Sequence, residues 1–349
     1  MDSRIQTKTI QTDHLHVSYL TAGEGEPLIL IHGNASANLF WDDTILSLSE
    51  QYQVFAPDLR GYGQTEAVPI DATRGLRDWA DDLKAFKSAL KLEGPVHLAG
   101  WSLGGGVVLQ FAIDYAQDVR SLTLIAPMSP FGFGGTKDVV GTPCYSNFAG
   151  SGGGTANPEL VNRMAAKDMS ADSPSSPRNV MNQLYFKPPF QVPPEQEDRY
   201  VSAIVSTRTG EGFYPGSFEP VAEWPGVAPG TTGINNALSP KYVNLSGIAH
   251  IEPKCPILWV RGADDSIVSD QSFVDFGTLG KLGIVPGWPG EEVYPSQPMV
   301  SQMRYVLDQY QQAGGTYQEV VLEHVGHSPH IEKADEFQTL FKNFLADVK

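Results

Sequence analysis

The stretch "HLAGWSLGGGVVL", residues 97–109, places one hydroxyl and four glycines between two apolar runs. A plain buried strand or helix would lose stability to those glycines. The pattern instead describes a strand, a very tight turn and a helix. Gly100-Trp101-Ser102-Leu103-Gly104 fits G-x-S-x-G, in which the serine occupies a strained strand-to-helix turn. Glycines two before and two after Ser102 keep neighbouring side chains from colliding, and Gly105 and Gly106 let the helix pack close to the sheet. The bland alternative is a serine that merely caps a helix. The rest of the chain weighs against it.

Around this turn the first half alternates strand and helix signals. "HLHVSYLTAG" alternates in the manner of an edge strand, and "PLILIHG", "YQVFAPDLRG", "PVHLAGWS" and "SLTLIAPM" read as further strands. Leu76, Trp79, Leu83, Phe86 and Leu90 recur at helical spacing. Strand–helix–strand repetition with apolar strands implies a mostly parallel sheet flanked by helices. After Met128 the texture changes to Gly, Ser and Pro without a period, and the strand pattern returns only at "CPILWVRGADD". The expected organisation is a core in two parts, 1–128 and 255–349, interrupted by a cap or lid at 129–254. A second irregular loop covers 270–299. Loops this long in a compact protein are usually binding loops or lids.

Three further stretches complete a chemical set. In "HGNASANLFW" the backbone N–H of Asn34 can pair with that of Leu103 to hold an oxyanion. "EHVGHSPHIEKADEF" offers His324, His327 and His330. His327 follows a glycine at the end of the last strand and suits a general base, whereas His324 falls within the strand and His330 suits a supporting place. The acid belongs after "CPILWVRG", at Asp264 or Asp265, because "MSPFGFGG" after the preceding strand carries no carboxylate. The order Ser102, Asp, His327 is that of an acyl-transfer triad. A zinc reading of His327-x-x-His330-x-Glu332 is the weaker alternative, and no metal or cofactor is expected.

Five stretches, "HGN", "DLRGYGQT", "GWSLGG", "RGADDSIV" and "GHSPHIE", run in order from residue 32 to residue 332. Together they resemble the α/β-hydrolase fold family, serine hydrolase branch. The resemblance implies an α/β-hydrolase fold with a cap after the sixth strand, a G-x-x-D motif that favours Asp265 over Asp264, and a structural role for Arg60. Haloalkane dehalogenases and epoxide hydrolases share "HGN" but use an aspartate nucleophile where this chain has Ser102. The expected activity is therefore hydrolysis of a carboxylic ester or lactone, with Trp101, Phe131 and Phe133 against a bulky apolar or aromatic substrate. Tyr145, Phe148, Tyr185, Phe186 and Phe190 in the cap, with Phe273, Phe276 and Trp288 after it, are further candidate walls. Amidases, C–C hydrolases, cofactor-free perhydrolases and ligand-binding proteins on the same scaffold are the competing readings.

Composition narrows the partners. The 349 residues carry a formal net charge of −16, which repels phosphate backbones and argues against nucleic acid and, more weakly, anionic membranes. The N-terminus shows no secretory h-region, no window approaches a bilayer span, and two distant cysteines form no metal or redox motif. A cytoplasmic protein with a small-molecule ester or lactone partner is expected; assembly with further copies of itself is left open.

Overall fold

The computed structural model describes residues 2–348, and among them eight strands form one mixed sheet. These are β1 (Gln6–Gln11), β2 (His16–Ala22), β3 (Glu26–Ile31), β4 (Tyr52–Pro57), β5 (Val96–Trp101), β6 (Val119–Ile125), β7 (Pro256–Gly262) and β8 (Thr316–Leu322). Their order across the sheet is β1-β2-β4-β3-β5-β6-β7-β8. β1–β2 and β2–β4 pair antiparallel and every other pairing is parallel. Leu28–Ile31, the whole of β5 and most of β7 are buried, which is why these strands read as unbroken apolar runs.

Helices cover both faces. α1 (Asp42–Leu48), α2 (Arg77–Ala89) and α3 (Leu103–Asp114) belong to the first half of the core. α4 (Pro158–Ala165) and α5 (Pro194–Val205) lie between β6 and β7, and α6 (Met299–Gln312) and α7 (Ala334–Asp347) close the chain. α2 packs on α3, and α1 packs on α7. Trp79, Leu83 and Phe86 give α2 its buried face. Arg60 reaches the same helix through two 2.7 Å contacts with Asp82, while Trp79 Nε1 donates to the Arg60 carbonyl at 3.0 Å. Arg60 thus ties the turn after β4 to α2, the structural place expected for it.

Two strand expectations change. "HLHVSYLTAG" is not the edge: β1, short and largely exposed, covers it, so β2 is buried on six of seven positions instead of alternating. The last strand ends at Leu322, leaving His324 in an exposed turn at φ +63°. Residues 126–255 form no strand of the large sheet; they hold α4, α5, shorter helices and two small strand pairs. Both cysteines are free thiols. Among the described residues, no helix is long and apolar enough to cross a membrane.

The elbow is where β3, β5 and α3 come closest. A Cβ on Gly104 would lie 2.2 Å from the Ile31 carbonyl oxygen and 2.7 Å from that of His32, and one on Gly100 would lie 2.1 Å from the Gly104 carbonyl oxygen. These atoms are backbone and cannot swing aside. Gly104→Ala should therefore cost about 1–3 kcal/mol of stability, read as a fall of several degrees in the thermal midpoint. An unchanged midpoint would contradict the packing described.

Candidate active site

Ser102 is the only residue between β5 and α3, and it holds φ +56°, ψ −117°. A serine takes such angles only where its surroundings fix them. Here its N–H donates to the Ile125 carbonyl at the end of β6 (2.9 Å), and its carbonyl accepts from Met128 and Gly105 N–H (both 3.0 Å). The result lifts Ser102 out of the sheet and into a cavity of about 350 Å³.

The loop after β3 forms the adjoining wall. His32 is wholly buried; its Nδ1 donates to the Gly33 carbonyl at 2.8 Å and its Nε2 accepts from Leu59 N–H at 3.0 Å. Burial pushes its pKa down to about 4, so the ring is neutral and serves as a brace. Asp58 accepts from the Asn38 and Gln64 N–H groups, both at 2.9 Å. Burial nonetheless drives its carboxyl up to about 6. Tyr185 brings its hydroxyl to 2.9 Å from the Ala35 carbonyl and 3.2 Å from that of Asn34. Among the described residues, the N–H groups of Asn34 and Leu103 donate to no protein acceptor, and both residues line the cavity with Ser102.

His327 and Asp265 meet at the ends of β8 and β7. His327 Nδ1 lies 2.8 Å from Asp265 Oδ2, and the two side chains are 2% and 3% exposed. The other carboxylate oxygen accepts from Ile267 and Val268 N–H at 2.8 and 2.9 Å. Asp264 turns away, 43% exposed, to pair with Lys187. Trp101 Nε1 donates to the His327 carbonyl at 2.8 Å, linking the residue before Ser102 to the histidine loop. Among the described residues, no hydrogen bond joins Ser102 Oγ to His327 Nε2; in unliganded sites such contacts are often long and tighten with substrate.

The cavity walls differ from expectation. Phe133 and Phe273 line it, but Trp101, Phe131, Tyr145, Phe148, Tyr185, Phe186, Phe190, Phe276 and Trp288 do not. Trp101 is 1% exposed and stacks on Phe40 at 5.3 Å beneath the site. Phe131 is buried against Gly141, where a Cβ would lie 2.3 Å from its ring. Aliphatic side chains take their place, among them Leu160, Val180, Leu184, Leu238, Ile267 and Leu279.

The profile of the Alpha/beta hydrolase family matches residues 28–338. The chain belongs to that family. Over 122 residues this α/β-hydrolase is 34% identical to an uncharacterised protein of Mycobacterium tuberculosis, covering 35% of the chain and 33% of that relative. Over 127 residues it is 31% identical to a 2-hydroxy-6-oxo-6-(2'-aminophenyl)hexa-2,4-dienoic acid hydrolase of Metapseudomonas resinovorans, covering 36% and 43% of the two chains. The matched stretches thus span a third to two fifths of these relatives. A thermophilic esterase from Thermogutta terrifontis shares the fold at a TM-score of 0.58 and 19% identity, over 98% of this chain and 99% of that one.

Two further residues of "GHSPHIE" brace this α/β-hydrolase site: Glu332, named in the sequence only in the zinc alternative, and His330, given there a supporting place. Glu332 gathers the N–H groups of Lys187 (2.7 Å), Gly326 (3.0 Å) and Ser328 (3.2 Å), clamping the loop that carries His327. Its signal was a Ser-Pro helix start with a glutamate one turn on. His330 is buried between Trp41 (4.5 Å) and Trp101 (5.1 Å), with neither ring nitrogen partnered among the described residues. Burial, helped by His327, lowers its pKa from 6.5 to about 3.

Two outcomes follow from this geometry. Asp265→Asn should slow ester turnover about 10³–10⁴-fold while Asp264→Asn leaves it within a few-fold; equal losses would contradict the His327–Asp265 pairing. For His330 the unfolded state takes up a proton below about pH 6.5 while the folded state resists to about pH 3, so its contribution to stability is lost as pH falls through that window. Asp58 and Asp275, both raised to about 6 by burial, act in the opposite sense, so the comparison is between variants. The thermal midpoint of His330→Phe should gain on the wild type steadily from pH 6.5 to pH 4. Parallel curves would contradict a neutral buried His330.

Proposed function

We propose that this chain is a serine hydrolase that cleaves a neutral carboxylic ester or lactone through an acyl-enzyme. The observation that carries the reading is the buried 2.8 Å His327–Asp265 contact behind a cavity into which Ser102 is lifted. With Nδ1 committed to Asp265, His327 Nε2 is free to take the Ser102 proton as Oγ attacks the carbonyl carbon. The resulting oxyanion is held by the N–H groups of Asn34 and Leu103, with the α3 N-terminus adding its dipole. Collapse breaks the ester bond, and His327 returns its proton to the departing alkoxide. Water, activated by the same imidazole, then attacks the acyl carbon and frees Ser102. In a lactone the alcohol stays attached to the acid.

The walls favour an uncharged substrate. Among the described residues, no Lys, Arg, His, Asp or Glu lines the cavity. Burying a carboxylate there without a counter-ion would cost several kcal/mol. This sets the chain apart from the Metapseudomonas relative, whose name specifies a dienoic acid, and favours ester over C–C bond cleavage. Residues 129–254 act as the cap, since Phe133, Leu160, Val180, Leu184, Tyr214 and Leu238 supply much of the cavity lining. The substrate is bulky and apolar, matched more to aliphatic than to aromatic walls.

The test combines p-nitrophenyl butyrate turnover with intact-mass measurement after fluorophosphonate treatment. Wild type should turn over the ester and gain a single adduct. Ser102→Ala should lose at least about 10⁴-fold in rate and gain none. An unlabelled wild type, or a Ser102→Ala variant of undiminished rate, would overturn the proposal.

A further inference from the structure

One corner of the cavity is polar and uncharged, and its hydrogen bonds are left incomplete in one direction. Asn34 Oδ1 is saturated: it accepts from Ala35 N–H and from the Tyr62 hydroxyl, both at 2.9 Å. This fixes the orientation of the amide and turns Nδ2 toward Asn235 Oδ1, 3.2 Å away. Asn34 Nδ2 carries a second N–H, for which no protein acceptor is found among the described residues. Asn235 has given one lone pair of its carbonyl to Asn34, and its Nδ2 faces the Tyr214 hydroxyl oxygen, which leaves one of its two N–H groups without a protein acceptor among the described residues. Tyr214 is 7% exposed, and its hydroxyl likewise donates to no protein acceptor among the described residues. All three residues line the cavity with Ser102.

The neighbouring asparagine shows what a purely structural amide looks like at this place in the fold. Asn236 Oδ1 accepts from Gly153 and Gly230 N–H (2.8 and 3.1 Å), and its Nδ2 donates to the Ser217 and Thr232 carbonyls (both 2.6 Å). Asn236 thereby pins the short helix Ile234–Ala237 to the segments around it, and Asn235, one residue before it on the same helix, faces the cavity with one N–H toward Tyr214 and the other unspent. Buried donors without acceptors are costly. The donors of Asn34 and Asn235 are half-buried and, with the Tyr214 hydroxyl, face the cavity beside the Asn34 loop, where an oxygen that arrives with the ligand can complete them.

We infer that Asn235 and Tyr214, with the side chain of Asn34, form a specificity-determining subsite for a second uncharged oxygen acceptor, a ketone or ether, a few bonds from the scissile carbonyl. The inference rests on the ester-hydrolase reading and narrows its substrate class to oxo- or alkoxy-substituted neutral esters and lactones. The unspent N–H and O–H groups favour an acceptor over a hydrogen-bond donor such as an ammonium group. The missing cation excludes a carboxylate.

The experiment measures kcat/KM for two matched pairs: p-nitrophenyl 4-oxopentanoate against pentanoate, and 2-oxobutyl butanoate against butyl butanoate. Each oxo/deoxo ratio is compared among wild type, Tyr214→Phe and Asn235→Leu, so that intrinsic reactivity cancels. Loss of one neutral hydrogen bond should lower the ratio about tenfold in both variants for at least one pair. A merely structural role would slow both members of a pair alike and leave the ratio where it was. Ratios unchanged in both pairs and both variants would overturn the subsite, leaving a corner filled by solvent, while the hydrolase reading stands. A wild type that turns over none of the four esters would overturn the hydrolase reading and the subsite together.

Discussion

The structure depends on keeping one serine in backbone angles that serine rarely adopts. Such a conformation costs on the order of 1–3 kcal/mol and persists only when neighbouring backbone over-determines it. β6 and the loop after it do this from one side, through the Ile125 carbonyl and Met128 N–H, and β3 from the other, through close approach to Gly104. The parallel sheet aligns the carboxyl ends of its strands, so that residues far apart in sequence converge there. Asn34 follows β3, Ser102 follows β5, Asp265 follows β7 and His327 follows β8. The rigid sheet therefore determines the relative placement of groups that sit on turns and loops.

Buried polar groups then hold those loops. His32 and Tyr62 brace the turn at Asn34, and Glu332 gathers three N–H groups around the loop of His327. His32 and His330 are both held neutral by burial, so neither adds a positive charge to the interior around the site. Groups of this kind fix geometry without taking part in proton transfer.

The elbow at Ser102 and the strand ends that carry Asp265 and His327 were legible because each depends on a short local pattern set beside a strand. Asp265 was separable from Asp264 only through the family resemblance; in the structure one carboxylate is enclosed against His327 and the other reaches Lys187. Trp101 was misplaced because adjacency to Ser102 in sequence says little across so sharp a turn: the tryptophan lies beneath the site. β1 escaped notice because "QTKTIQ" has little apolar content and five of its six residues are exposed. Tyr214 and Asn235 carried no motif at all, since their place at the cavity comes from residues 129–254 folding against the loop of Asn34. Patterns local to one element survive in sequence, and contacts between distant loops do not.

In the proposed reaction, Ser102 and two specific N–H groups converge on one reacting carbonyl. This convergence is tested most directly by a crystal structure of the chain after reaction with a fluorophosphonate, whose tetrahedral phosphorus mimics the oxyanion intermediate. Phosphorus should be bonded to Ser102 Oγ, with the phosphonyl oxygen about 2.7–3.1 Å from the N–H nitrogens of Asn34 and Leu103. Phosphorus on another residue, or a phosphonyl oxygen turned away from both nitrogens, would contradict it.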